Sequence, residues 1–148
     1  MLLIITNPHV YKKLQAEIDS TVRAGSVISD AQARTLPYLQ AVIKEGARMF
    51  PAATGIMSKT VPPEGDTING IYIPGGTDIG KNDWAIQRDK KVYGEDATFF
   101  RPERWLEAHG EQLERMERSL ALIWGHGKYS CLGKNIALME LNKAYFEV

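Results

Sequence analysis

The stretch Trp124-Gly125-His126-Gly127-Lys128-Tyr129-Ser130-Cys131-Leu132-Gly133 decides how this sequence is read. Glycines at 125, 127 and 133 let a backbone take positive φ and approach a flat ligand closely. The apolar run Ile136 to Leu141 opens a helix straight after. That places Cys131, the one cysteine of the chain, at or near a helix N-terminus. There the positive end of the helix dipole and free N–H groups favour a thiolate, which in a Gly-rich loop binds a soft metal centre. A lone cysteine is more often a small buried hydrophobe. Pairing with His126 for thiol hydrolysis is also compatible with the spacing, because such dyads meet in space. All three readings stay open at this level.

The rest of the chain sets limits on them. It has 148 residues, 44% of them hydrophobic, with 18 Lys plus Arg against 18 Asp plus Glu. A domain of about 150 residues buries roughly 70% of its unfolded surface, so one globular domain with a real core is expected. Zero net charge offers no basic face to a phosphate backbone, which argues against nucleic acid. The longest apolar run, Leu2 to Ile5, is far short of the roughly 20 residues of a membrane span. As written, the chain reads as cytosolic. Cys131 and three scattered histidines do not make a structural zinc site.

Working outward from the loop, the periodicities predict a mostly α protein with a small β-sheet, an α+β fold. Helical segments are expected over about 1–24, 36–50 and 132–148. In the first, Val10, Leu14, Ile18 and Val22 recur four apart, Gly25 and Ser26 end the helix, and no cap precedes the apolar start. In the second, Leu36, Leu39, Val42, Ile43 and Ala47 form one stripe, with Thr35 as cap, Pro37 in the first turn and Pro51 as the stop. The region 52–80 is rich in Gly, Pro and Thr. In it Ile71-Tyr72-Ile73 sits between Asn69-Gly70 and Pro74-Gly75-Gly76, two turn signals around a strand. Asn82 to Gly94 reads as a short helix or turn, Phe99 to Trp105 as irregular chain, and Glu107 to Arg118 as a solvated helix or surface loop.

Two further segments carry a pattern. Glu45-Gly46-Ala47-Arg48 places a carboxylate and a guanidinium on one helix face, ordinarily an exposed pair worth about 0.3 kcal/mol. Phe100-Arg101-Pro102-Glu103-Arg104-Trp105 sets arginines between aromatics, ordinarily at a surface.

Together and in this order, the three segments resemble the C-terminal part of a cytochrome P-450, a haem-thiolate monooxygenase. The family's loop reads Phe-Gly-x-Gly-x-Arg-x-Cys-x-Gly, then Ala four residues on. This chain matches at Gly125, Gly127, Cys131, Gly133 and Ala137, with Trp124 for Phe. Glu45 and Arg48 match the family's Glu-x-x-Arg on its K helix, and Arg104 the arginine of Pro-Glu-Arg-Phe.

The resemblance implies haem b with Cys131 as its proximal thiolate and Trp124 packed near it. It implies a buried, structural Arg48-Glu45-Arg104 cluster that locks the meander behind the haem, and a substrate side bordered by Ala52, Ala53, Thr54, Gly55 and Ile56. The usual propionate-binding Arg is Tyr129 here, so Lys128 and Lys59 are expected to supply the charge. One oxygen atom would enter a small organic substrate, with NADPH acting only through a reductase partner. Residues 92–131 would form the meander and cysteine loop, in a chain running from the J helix into the L helix of a fungal member. On that reading the I helix and anchor are missing, a full-length eukaryotic parent sits on the endoplasmic reticulum, and the chain alone is inactive. The face of helix 36–50 should then be an exposed apolar patch prone to aggregation. A non-catalytic or vestigial haem-binding protein is the alternative, ahead of a Cys131/His126 thiol hydrolase.

Overall fold

The computed structural model describes residues 1–21 and 28–147. A short helix α1 (Leu2–Ile5) leads into α2 (Pro8–Thr21), α3 (Asp30–Ala33) and α4 (Pro37–Met49). Then come strands β1 (Lys59–Thr60), β2 (Asp66–Ile68), β3 (Ile71–Ile73) and β4 (Asp78–Ile79). Short helices α5 (Asp83–Ile86), α6 (Lys90–Tyr93) and α7 (Arg104–Glu107) precede α8 (Gly110–Ala121). Two 3-10 turns, Leu122–Trp124 and Gly127–Tyr129, lead to α9 (Lys134–Phe146).

Helix α4 is the axis of the molecule, because both cores form on it. On one side Leu39, Val42 and Ile43 pack with Val10 and Leu14 of α2, Ile4 of α1 and Phe146 of α9. On the other, Ala41 meets Tyr93, Ala97, Trp105, Met116 and Leu120. The apolar stripe of α4 is therefore covered; the exposed patch expected along 36–50 is confined to Phe50 at its end. Fully burying a Leu or Val side chain contributes about 1.5–3 kcal/mol, so these neighbours account for the helix's position.

The start of α4 corrects a local reading. Thr35 does not cap it: its hydroxyl donates to the Gln32 carbonyl, and the N-cap residue is Leu36. The carboxylate of Glu17, on α2, accepts instead from the Tyr38 and Leu39 amides, at 2.8 Å each. An anion at the positive end of the helix does the capping from another element. Pro37 occupies the first turn as expected.

Between positions 1 and 24 the helical stretch is not continuous. Thr6 and Asn7 turn their side chains back onto the Leu2 and Leu3 carbonyls, and Pro8 then starts α2 without an amide to offer. Val22, Gly25 and Ser26 lie outside the described residues. The charged stretch after Glu107 is a helix with one face sunk into the second core, through Met116, Ser119 and Leu120. Its apolar positions 113, 116 and 120 follow the helical period among charges.

The β region is two antiparallel ladders, β1 with β4 and β2 with β3. Lys59 faces Ile79, and Ile68 faces Ile71 across the turn. Asn69 and Gly70 take φ of 51° and 81°, the tight hairpin turn that this dipeptide suits. Among the described residues no helix is long and apolar enough to cross a membrane.

Candidate haem-thiolate site and its structural lock

The lock is built first from α4. Glu45 and Arg48, three apart, lie fully buried on one helix face. Arg48 donates to Glu45 at 2.9 and 2.8 Å. Its remaining donors reach the carbonyls of Gln87 and Ala97, at 2.6 Å each, and of Phe99 at 3.1 Å. Arg104 brings its Nε to Glu45 at 3.0 Å, and donates to the Tyr93, Asp96 and Phe99 carbonyls and to the Asp96 carboxylate. Two further donors complete Glu45: the Arg101 amide and the Trp105 indole N–H, both at 2.9 Å.

These arginines stitch the irregular segment 94–103 to the central helix by its backbone carbonyls. Buried backbone groups need partners, and a segment without regular structure has none of its own. The guanidinium, with five donors in a fixed fork, is the side chain able to serve several carbonyls at once. Asp96 is held below the usual carboxylate range: burial pushes upward but the Arg104 and Arg101 bonds outweigh it. Tyr93 lies under the Arg48 guanidinium, 4.9 Å from ring centre to carbon, and burial pushes its phenol up to about 12.

The cysteine loop is built differently. Its entry is the 3-10 turn Leu122–Trp124, closed by the Gly125 amide on the Leu122 carbonyl at 3.0 Å. Gly125 takes φ of 74°, and a Cβ there would collide with the Tyr129 carbonyl, so the site admits only glycine. The Cys131 amide returns to the Trp124 carbonyl at 2.7 Å and closes the loop. Gly133 is the N-cap residue of α9, and the Ala137 amide bonds its carbonyl at 2.9 Å. Cys131 is a free, exposed thiol, which removes the reading of it as a buried hydrophobe.

Around the Tyr129 ring, two residues before this thiol, the structure gathers two of the residues expected from sequence. The ammonium of Lys59, on β1, lies 4.2 Å from the Tyr129 ring centre, and that of Lys128 lies 5.1 Å from it. Two cations thus flank one exposed phenol close in sequence to the cysteine. Leu132, before α9, and Ile136 and Met139 on it are exposed apolar side chains close in sequence to the thiol. His126 shares no hydrogen bond with Cys131 among the described residues.

Trp124, half-buried, lines an apolar cavity of about 420 Å³ with Phe100, Val42, Gly46, Leu141 and Tyr145. Ala52 reaches that cavity; Ala53, Thr54, Gly55 and Ile56 are exposed and do not line it.

The sequence matches the family model described as cytochrome P-450 over residues 1–146. The chain belongs to the cytochrome P-450 family. It is 50% identical to cytochrome P-450 monooxygenase ABA1 of Pyricularia oryzae, over the whole of this chain and 30% of that protein. It is 48% identical to cytochrome P-450 monooxygenase abl1 of Leptosphaeria maculans, over 97% of this chain and 26% of the relative. A pisatin demethylase of Fusarium vanettenii is 41% identical, over 95% of this chain and 26% of its own length. The chain therefore spans under a third of these fungal P-450 relatives. The mostly α fold with a small β region is that of part of a P-450.

A haem fits the residues present. An exposed thiol is the soft donor that iron takes, three glycines of its loop carry no Cβ, Leu132 and Ile136 are exposed apolar side chains after it, and paired cations suit carboxylates. Sequence reasoning missed several residues of the surroundings. Asp96 and the Trp105 indole complete the lock, and Lys81 touches the loop entry at the Leu122 carbonyl. Helix α3 had a usable signal, the Ser29-x-x-Gln32 capping box, whose reciprocal bonds are both formed.

Proposed function

We propose that this chain forms the cysteine-ligand part of a haem-thiolate monooxygenase acting on a small organic substrate. The observation that carries this is the exposed Cys131 thiol on its glycine loop, with Lys59 and Lys128 drawn to the ring of Tyr129, two residues before it. When bound, haem b supplies the activation of molecular oxygen and its insertion into the substrate, the thiolate favouring O–O cleavage.

The chain's own residues bind and orient. Cys131 would hold the haem iron through its thiolate sulfur, the protein's ligand to the metal. Gly125, Gly127 and Gly133 put no Cβ at three positions of the loop, and Ala137 keeps the first turn of α9 slim. Trp124 packs beside the haem and excludes water from that edge. Tyr129 would offer one hydrogen bond to a haem propionate, while Lys59 and Lys128, gathered at its ring, would supply the charge that an arginine provides elsewhere in the family. Glu45, Arg48 and Arg104 touch no substrate and act by fixing the segment before the loop. Ala52, Ala53, Thr54, Gly55 and Ile56 border the substrate. Electrons arrive from NADPH through a separate reductase, and a full-length eukaryotic protein sits at the endoplasmic reticulum membrane.

Reduced haem-loaded protein exposed to carbon monoxide should show the strongly red-shifted Soret band of a thiolate ligand, and Cys131→Ala should abolish it. Survival of the band in that variant, or its absence from the unaltered protein, sinks the proposal.

A further inference from the structure

The structure assigns Lys81 as a positioning residue that fixes the entry of the cysteine loop. Its functional meaning rests on the haem-thiolate reading above. Lys81 lies between β4 and α5, far from Cys131 in sequence. Its ammonium grips both carboxylate oxygens of Asp83 and donates to the Leu122 carbonyl at 2.7 Å. That carbonyl is the one that also accepts the Gly125 amide, at the residue whose positive φ launches the loop.

Three physical facts make this contact more than a surface pair. Asp83 is 1% exposed, so its charge is held in the interior and pins the ammonium in place. The ammonium sits at the C-cap of α8, Leu122, where the negative end of the helix dipole favours a cation. The bond to Leu122 is charge-assisted, and such bonds are roughly twice as strong as neutral ones. The next carbonyl-to-amide closure in the loop is Trp124 to Cys131. Lys81 thus fixes the strut from which the ligand cysteine hangs, through Leu122 and Gly125, without touching the sulfur.

Amide hydrogen exchange on the full chain reads this without haem. In Lys81→Met the Gly125 and Cys131 amides should exchange about tenfold faster while those of α4 keep their rates, since local opening is set by local contacts. Lys81→Arg should keep the slow rates. The double variant Lys81→Met with Asp83→Leu removes the stranded carboxylate and should still show the fast loop. In haem-loaded protein, Lys81→Met should lose part of the thiolate carbon-monoxide band, and Lys81→Arg should retain it.

Unchanged loop amides in Lys81→Met overturn the assignment. So does equal acceleration in α4, which means global weakening, or a double variant back at the original rates, which means the buried carboxylate alone was responsible. An unaltered protein without any thiolate band overturns the haem reading only, and the exchange rates then decide separately whether Lys81 holds the loop.

Discussion

The surroundings of Glu45 and those of Cys131 are held by opposite means. Around Glu45, two guanidiniums, an indole and a backbone amide converge on one carboxylate, all of it out of water. Around Cys131, single backbone bonds close a glycine loop whose thiol, phenol and lysine ends face solvent. A buried charge cluster is stable only when every member is satisfied, so losing one strands the rest. An exposed loop has no such interdependence, and its side chains are free to take a ligand. Rigidity and reactivity are thereby separated along the chain: the lock fixes the segment leading to the loop and leaves the loop's own groups uncommitted.

The sharpest way to break this contrast is a pair of truncations. Glu45→Ala should cost about 3–5 kcal/mol, seen as a large drop in the urea midpoint, because buried Arg48 loses its counter-charge and Arg104 one of its two. Cys131→Ala should shift the same midpoint by about 0.5 kcal/mol or less, since an exposed side chain away from caps and charges contributes little. Similar shifts in the two variants would show that the lock is no stiffer than the loop.

A smaller effect tests how dry the lock is. The Tyr93 phenol, raised to about 12 by burial, sits above its ordinary value near 10. A group raised on folding contributes stability that is complete below its unfolded value and lost as pH rises through the folded one. Stability should therefore decline by on the order of 2 kcal/mol between pH 10 and 12. Tyr93→Phe cannot ionise and should lose less over that window, at a neutral-pH cost of about 1 kcal/mol for its bond to Gln87. Parallel midpoint-against-pH curves for the two proteins would show that water already reaches the lock.

The smallest expected effect lies at the far end of α4. Glu17→Ala uncaps the Tyr38 and Leu39 amides and should cost about 1 kcal/mol. Thr35→Ala should change stability by less than half of that, because Thr35 caps nothing at that helix. The reverse order of midpoints would restore Thr35 as the cap.

These residues show how far the sequence was legible. The stripe Leu39, Val42 and Ile43 announced α4, and the Asn69-Gly70 dipeptide announced its hairpin, because both signals act within a few residues of chain. The break at Thr6 and Asn7 was missed, since polar side chains that fold back onto a helix leave no gap in the apolar pattern. The depth of α8 was missed for a related reason: charges on three sides hid a narrow buried face. Of the lock, Glu45, Arg48 and Arg104 were readable as a pattern. Their burial followed from the family resemblance and not from the spacing, because an isolated Glu-x-x-Arg pair has the same spacing at a surface.

By itself, then, the sequence determined what local chemistry dictates: the glycines that let the chain turn around Cys131, the helix that follows, the periodic face of α4 and the order of the three segments that mark the family. Tertiary structure alone decided which charges became interior and what held the start of α4. Glu17 caps a helix it does not belong to, Lys81 holds a carbonyl 41 residues away, and Arg48 serves carbonyls of a segment with no regular structure. Those choices depend on which groups folding brings within hydrogen-bonding range of about 3 Å, a distance that no spacing along the chain encodes.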